Sequence, residues 1–258
     1  MASSAAAVWN HREVLALFVR RDLKAKYQQS VLGYAWSMLE PLLLTGVYFF
    51  VFAQILHAGT ENYGLFLVAG ILPWLWFNRA VHQSTRILLG DARIITTMAL
   101  PRELFPLGTV GAKFVEFILS LPVLVVFAVI AWVPPHVTIL GFLLAIPLQA
   151  ILTTGITMIL SSVTVLVRDV QRVIQVALRM TFFMSGVLYP VDKVPESVRG
   201  VFELNPLVTI FGLYRAAWFP EDFPSAHLLV ETSLICLAVF LVGWWMFHAL
   251  EPAVLKEL

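Results

Sequence analysis

The sequence predicts an all-α polytopic membrane protein, because it has few charges and these are separated by long apolar stretches. Hydrophobic residues make up 60% of the 258 residues and charged residues only 13%. A soluble domain of this size carries about 25% charged residues. In lipid, an uninterrupted helix satisfies the backbone hydrogen bonds of such apolar stretches. We therefore expect a single transmembrane domain over residues 1–258, with six spanning helices and no appended soluble domain.

The first element is a basic segment, residues 10–29, which is expected to form an amphipathic helix at the membrane surface. A band of Tyr and Trp follows it, and then an apolar run. Cations, aromatic rings and hydrocarbon in that order are typical of a chain that enters a bilayer from the cytoplasm. The helix either only sets the topology or also contacts a partner. The basic residues expected to make such a contact are Arg20, Arg21, Lys24 and Lys26.

Six apolar segments follow. Between Phe117 and Val167 there is no Asp, Glu, Lys or Arg, and this stretch is too long for one span of about 20 residues. Pro134 and Pro135 divide it into two. In the fifth segment the charge-free part covers only residues 180–191. The expected spans are residues 31–56, 64–84, 114–133, 138–166, 173–190 and 232–250.

Several charges lie close to spans. Lys113 and Glu116 are three residues apart at the start of the third span, which favours a local ion pair over a proton relay. Asp22 and Lys26 have the spacing that allows a pair within one helix. Glu40 is the only charge in the first span, and no role can be assigned to it from the sequence.

Two connections are expected to have structure of their own. Residues 91–101 predict a short helix that is capped by Asp91 and ended by Pro101. A cytoplasmic motor could dock there and move both adjoining spans; the alternative is an ordinary basic loop. Residues 195–219 contain apolar pieces that are too short to cross, and they predict two short helices broken at Pro206. Such pieces persist at membrane depth only against protein or a wet cavity.

The positive charges predict that both termini are cytoplasmic. In a six-span arrangement with the N-terminus inside, all but three of the 17 Lys and Arg residues fall on the cytoplasmic side. The exceptions are Lys193, Arg199 and Arg215, and five acidic residues accompany them. This distribution follows the positive-inside rule.

The chain lacks the motifs of an energy source or a catalytic centre. It has no Gly-x-x-x-x-Gly-Lys-Ser/Thr loop for ATP, no Cys/His cluster with metal-ligand spacing and no paired acids within a span. Its single cysteine, Cys236, cannot form an intrachain disulfide. We expect no catalytic residue, cofactor or metal in this chain, and transport driven by another protein.

A set of short motifs covers nearly the whole chain in a fixed order. The motifs are RDLKAKY at 21–27, SVLGYAW at 30–36, Pro73-Trp74, Pro101-Arg102-Glu103, VRDV at 167–170, GVLYP at 186–190, and NPL at 205–207 followed by Tyr214-Arg215. Together they resemble ABC-2-type permeases that export polysaccharides and polyol phosphates, the membrane subunits of O-antigen, capsule and teichoic-acid exporters. Glu40, which precedes Pro41, departs from the family pattern, in which a neutral residue usually stands at this position.

The resemblance implies a homodimer that binds two copies of a separate ATPase subunit, which holds the ATP and Mg. Residues 10–29 would be an interface helix on the ATPase, 91–101 the coupling helix, and 195–219 re-entrant helices that close the outer face. The implied coupling residues are Arg93, Thr97, Pro101, Arg102 and Glu103, and the implied outer-gate residues are Asn205, Pro206, Tyr214 and Arg215.

The resemblance also implies a substrate. It would be a glycan or polyol-phosphate polymer on an undecaprenyl-type lipid carrier, moved across the plasma (inner) membrane in processes such as lipopolysaccharide biosynthesis. The basic residues of 10–29 could attract the carrier's pyrophosphate or ordinary anionic lipid. Aromatic rings could line a path for sugars, or else pack between helices or face lipid. The candidates are Tyr48, Phe49, Phe52, Trp74, Phe182, Phe183 and Tyr189.

Other functions remain open at this point. An ABC-2 exporter of drugs or small lipids has the same architecture and a different cargo. An intramembrane enzyme acting on lipid-linked sugars would need clustered acids or histidines on its spans. A passive membrane scaffold would need no ATPase. No nucleic-acid partner is expected.

Overall fold

The computed structural model describes residues 2–28, 30–57, 59–98 and 100–257. Gln29 at the end of the predicted interface helix and Ala99 within the predicted 91–101 segment lie outside the described residues. In the described part, the regular structure is helical throughout. The α-helices are α1 (Ala2–Asn10), α2 (Arg12–Tyr27), α3 (Trp36–Phe49), α4 (Tyr63–Gly90), α5 (Ala92–Thr97), α6 (Leu104–Ile130), α7 (Ile139–Leu166), α8 (Val170–Phe183), α9 (Glu196–Glu203), α10 (Pro206–Arg215) and α11 (Ala226–Glu257).

Five helical stretches of the described chain are long and apolar enough to cross a membrane. They are Gly33–Ile55, which joins α3 to flanking 3-10 and π turns, and the helices Tyr63–Gly90, Leu104–Ile130, Ile139–Leu166 and Ala226–Glu257. Three of them, α4, α6 and α11, continue well beyond the predicted apolar limits. Their helical hydrogen bonding therefore continues past the charge-free stretches from which the spans were predicted.

The predicted fifth span, residues 173–190, is not confirmed as a spanning helix. Helix α8 has 14 residues, or about 21 Å of helix against a hydrocarbon core of about 30 Å. Arg172 and Arg179 are seven residues apart on one face of α8, which makes that face polar. The chain then leaves the helix, and Gly186 adopts a positive φ of 68° in the turn that follows.

Helix α4 lies at the centre of the bundle. Its side chains are buried along most of its length, and it contacts α3, α6, α7, α8 and α10. One buried polar contact crosses from α7, where Gln149 Nε2 donates a hydrogen bond to the Pro73 carbonyl at 2.8 Å. Helix α3 packs mainly on α4 and α6 and leaves most of its own surface exposed.

Helices α7 and α11 form the most extensive helix pair, and two glycines bring their backbones together. A Cβ atom added to Gly243 would lie 2.3 Å from the Gly155 carbonyl oxygen. A Cβ atom added to Gly155 would lie 2.7 Å from the backbone of Phe240. Small residues of this kind allow the close packing on which helix association in lipid depends.

Helices α9 and α10 form a corner in the region where two short helices were expected. The Asn205 side chain caps α10 by accepting a hydrogen bond from the Leu207 amide at 3.1 Å, and Pro206 occupies the first turn. The Asn205 Nδ2 group also donates to the Met184 carbonyl at 3.1 Å. This second bond ties the corner to the end of α8.

We expect Gly243→Ala to destabilise the bundle by about 1–3 kcal/mol, because the added methyl group forces α7 and α11 apart. The check is the thermal unfolding midpoint of the detergent-purified protein. Gly200→Ala is the matched control, since a Cβ atom there meets nothing within 4 Å. Equal midpoints for the two variants would contradict the close approach of these helices.

Candidate functional site

Within the described residues, the ion pairs that join different helices lie at one end of the bundle, which we call the basal end. Helices α2 and α5, the C-terminal ends of α4, α7 and α11 and the start of α6 meet there. The opposite end, where α4 begins and α10 packs, is the distal end. Ion pairs at the basal end connect the two segments predicted to contact a motor with the long helices.

A buried carboxylate lies at the centre of these contacts. Glu116 on α6 is 2% exposed, and its two oxygens contact Lys113 Nζ at 2.7 Å, Lys26 Nζ at 2.7 Å and Arg79 Nη1 at 3.0 Å. Arg79 Nη2 also lies 2.5 Å from Glu40 Oε2. These five residues, the Glu116 cluster, join α2, α3, α4 and α6.

The cluster settles three expectations from the sequence. The predicted Lys113–Glu116 pair is confirmed, and Glu40, which had no assigned role, pairs with Arg79. The predicted Asp22–Lys26 pair is wrong. Lys26 instead binds Glu116, while the Asp22 carboxylate contacts Arg21 Nη2 at 3.3 Å and accepts a hydrogen bond from Gln83 Nε2 at 2.9 Å.

Burial also shifts the titration of two residues of α2 beside the cluster. Burial lowers the pKa of Lys26, although its hydrogen bond to Glu116 opposes the shift. Burial and the negative charge of Glu116 raise the pKa of Tyr27 to about 12, so this hydroxyl stays neutral. Removing one member of a buried ion pair costs about 3–5 kcal/mol, because a charge is left without compensation.

A second ion pair joins α2 to the start of α5. Arg21 binds Asp91 with two hydrogen bonds, Nη1 to Oδ1 at 3.0 Å and Nη2 to Oδ2 at 2.7 Å. Burial alone lowers the pKa of Arg21, but the hydrogen bonds and charge of Asp91 outweigh it and raise the pKa. The same helix packs Phe18 on Phe105 of α6, with ring centroids 5.0 Å apart. Helix α2 is thus held by ion pairs and by apolar packing.

The four basic residues predicted on the interface helix divide into two pairs. Arg21 and Lys26 are held in the ion pairs just described. Arg20 and Lys24 are exposed. Among the described residues no ion pair involves Arg20 or Lys24, so the charge of this second pair is open to a lipid or a partner.

The predicted coupling residues also divide into two groups. Arg93 and Thr97 are exposed on α5, whereas Ile95 on the same helix is buried in an apolar cluster with Val254 of α11. Arg102 pairs with Glu251. Pro101, next to it, is half-buried.

Glu103 faces inward as well. It is 7% exposed and contacts His248 Nε2 at 2.8 Å. The C-terminal part of α11 thus holds the connection between α5 and α6. Arg93 and Thr97 are the predicted coupling residues that remain accessible to another protein.

Four of the predicted aromatic residues form one group between α3, α4 and α8. The Phe182 ring contacts Tyr48 at 5.4 Å, Trp74 at 5.2 Å and Phe183 at 5.4 Å between centroids. Tyr189 joins them by donating a hydrogen bond from its hydroxyl to the Phe183 carbonyl at 2.5 Å. Trp74 and Phe182 are buried, while Phe183 is 55% exposed.

The other two lie apart from this group. Phe49 contacts the ring of Tyr63 near the distal end, with centroids 6.4 Å apart. Phe52 is partly buried against the main core. The structure therefore does not join all seven predicted aromatic residues into one surface.

The predicted outer-gate residues lie on α10 and just before it. Tyr214 is fully buried, and its ring lies 4.8 Å from that of Phe142. Arg215 is 3% exposed and donates from Nη2 to the Val187 carbonyl at 2.7 Å. Both side chains anchor α10 in the bundle, whereas Asn205 and Pro206 start the helix.

The similarity to known proteins runs along most of the chain. Residues 13–219 match the family model of the ABC-2 type transporter. The O-antigen export system permease protein RfbA of Klebsiella pneumoniae is 31% identical over 93% of this chain and 92% of its own. RfbA of Myxococcus xanthus is 29% identical over 94% of each chain. The polysialic acid transport protein KpsM of Escherichia coli is 25% identical over 95% of each.

These matches agree with the five long apolar helices and confirm a multi-pass protein of the plasma (inner) membrane. They also confirm the resemblance found in the short motifs. Because the family model covers most of the residues, the chain belongs to the ABC-2 type transporter family.

Proposed function

We propose that this chain is the membrane subunit of an ATP-driven exporter that moves a lipid-linked polysaccharide or polyol-phosphate polymer out of the cell. The observation that carries the proposal is the end-to-end similarity to an O-antigen export permease, which covers 93% of this chain and 92% of the relative. The energy would come from a separate ATPase subunit that binds ATP and Mg. This chain itself would be a permease and not an enzyme.

We further propose six crossings with both termini cytoplasmic. Beyond α8 the chain continues antiparallel to α4. Gln175 lies near His82, Phe182 contacts Trp74, and the Tyr63 hydroxyl donates to the Leu188 carbonyl at 2.7 Å.

From Tyr63 to His82, α4 rises about 28 Å, close to the thickness of the hydrocarbon core. Helix α8 and the turns after it thus supply a sixth crossing that is helical only in part. On this basis the basal end is cytoplasmic and the distal end faces outward. The re-entrant pair would be α9 and α10.

The basal contacts support a route for mechanical coupling. Helix α5 would rest on the ATPase and present Arg93 and Thr97, while α2 would form the second contact. Movement of α5 would reach α2 through the Arg21–Asp91 pair. From α2 it would reach α3, α4 and α6 through the Glu116 cluster.

A second copy of the chain would complete the path for the polymer. The surface of α3 supports this, because Leu43, Val47 and Phe50 are between 53% and 60% exposed and lie on one side of the helix. In a homodimer that side would face the other copy together with the aromatic group around Phe182. The exposed ring of Phe183 could then contact the C–H faces of sugars.

An exporter of drugs or small lipids is the alternative within the family. We prefer a polymer, because relatives matched over most of their length are named as exporters of O-antigen, polysialic acid and capsule polysaccharide. An enzyme acting on lipid-linked sugars is disfavoured, because the family is one of transporters.

Depletion of this protein tests the cargo directly. We expect loss of a surface glycan and accumulation of the same glycan on its lipid carrier inside the cell, because synthesis would continue without export. Mass spectrometry of the lipid extract identifies the polymer. Unchanged surface glycan, or accumulation of a small lipid instead, would contradict the proposed cargo.

Charge-reversal variants can distinguish a residue that contacts the ATPase from one that pairs within this chain. We expect Arg93→Glu and Arg102→Glu each to lower ATPase co-purification or export severalfold. For Arg93 the reason is loss of an exposed contact with the partner. For Arg102 it is repulsion from Glu251, with which it pairs.

Adding Glu251→Arg should restore the Arg102→Glu variant and leave the Arg93→Glu variant impaired. Lys193→Glu, at an exposed basic residue near the distal end, is the control. If Glu251→Arg restored neither variant, the inward role of Arg102 would be wrong. If Arg93→Glu behaved like the control, α5 would not be the coupling contact.

A further inference from the structure

A cavity of about 610 Å³ with polar and aromatic walls opens at the distal end. It lies between the start of α4, helix α10, the segment 185–192 and the turn 220–225. Its volume is within the range of pockets that hold small molecules. None of the coupling residues lines it, and we call it the distal pocket.

Arg215 lines this pocket and is a buried cation. Its guanidinium group lies 3.7 Å from the centre of the Phe66 ring, and Nη2 donates to the Val187 carbonyl. Within the described residues, the Nε atom of Arg215 has no hydrogen-bond partner. The protein makes room for this buried cation at Gly70, where a Cβ atom would lie 2.5 Å from Nη2.

Two further groups on the pocket wall have polar atoms without partners. Asp222 has a buried carboxylate oxygen that accepts no hydrogen bond within the described chain. The Trp218 indole N–H likewise donates none there. Burial raises the pKa of Asp222, and the charge of Arg215 acts to lower it. Arg215, Trp218 and Asp222 thus all line the distal pocket, and each has a buried polar atom whose hydrogen bond is not made within the described chain.

The charged residues of the pocket disfavour two classes of ligand, anions and metal cations. Four further acidic residues line it, which disfavours an anion: Glu61, Asp192, Glu203 and Glu221. The buried guanidinium of Arg215 disfavours a metal cation. A neutral polyhydroxyl compound is compatible with both the negative and the positive groups, because a hydroxyl group can donate to Asp222 and accept from Arg215 or Trp218.

Aromatic rings supply the remaining surface of the pocket. Phe66, Trp218, Phe219 and Phe223 line it beside the polar groups. A pyranose ring presents apolar C–H faces to such rings and hydroxyl groups around its edge. The combination of aromatic faces, a carboxylate and a guanidinium group suits a sugar unit, and the cavity is large enough to hold one.

We propose that the distal pocket binds a neutral sugar unit. This inference rests on the proposed function, which places the pocket on the outer side, where the exported polymer emerges. A unit held there would retain the emerging chain against backward movement. The pocket is formed within one copy of the chain and does not depend on the dimer.

The test is saturation-transfer difference NMR on the purified full-length protein. The probes are methyl glycosides of mannose, galactose and N-acetylglucosamine, with glucuronate and glucosamine as charged comparisons. We expect transfer to at least one neutral glycoside. Asp222→Asn should weaken its binding about tenfold, because a hydrogen bond to a charged acceptor is lost. Glu196→Gln, at an exposed distal acid outside the pocket, should bind as the wild type does.

A second variant covers the case in which Asp222→Asn does not fold. Trp218→Phe keeps an aromatic ring and removes the indole N–H, so we expect binding to weaken about fivefold. Equal binding by the wild type and both pocket variants would overturn the site, as would absence of binding by the wild type. Neither result concerns the export function, which depletion of the protein tests separately.

Discussion

The buried carboxylate of Glu116 is the interaction on which the basal half of the protein depends. It is 2% exposed and contacts three cations that come from α2, α4 and α6. A charge in that position is tolerated only while its partners remain. The cluster therefore does more than add stability. It fixes how the amphipathic helix α2 sits on the spanning helices, and through Arg79 and Glu40 it extends to α3.

The same principle governs the connection between α5 and α6. Arg102 and Glu103 bind residues near the end of α11, and Asp91 binds Arg21 of α2. The short helix α5 is therefore held on both sides, while Arg93 and Thr97 stay exposed. We propose that this arrangement lets a push on α5 move several spans together. Loops without such anchors would absorb the displacement.

The central part of the fold could be predicted from the sequence, because charge-free length and the positions of basic residues reflect the bilayer directly. The local pair of Lys113 and Glu116 was predictable for a similar reason, since it needs only helical spacing. The partners of Glu40, Lys26 and Arg21 were not. Each lies on another helix, and the choice depends on how helices pack around a buried charge.

The predicted fifth span, residues 173–190, shows another limit. Its apolar length indicated a span, but the helix ends at Phe183 because the chain turns at Gly186 and continues without helical hydrogen bonding. The predicted gate residues Tyr214 and Arg215 are polar only at the ends of their side chains, and packing turns both inward. Opposite charges near the ends of different spans were the one available signal for the cluster, and that signal does not specify the pairing.

The central claim is that the Glu116 cluster transmits movement of α2 and α5 to the spans. It is tested most directly by the amount of polymer exported per ATP hydrolysed, measured on the reconstituted complex with its ATPase. For Glu116→Gln we expect ATP hydrolysis to continue while export per ATP falls at least fivefold. Glu13→Gln, at an exposed acid on α2 outside the cluster, should match the wild type. An unchanged ratio in a folded Glu116→Gln complex would contradict the claim.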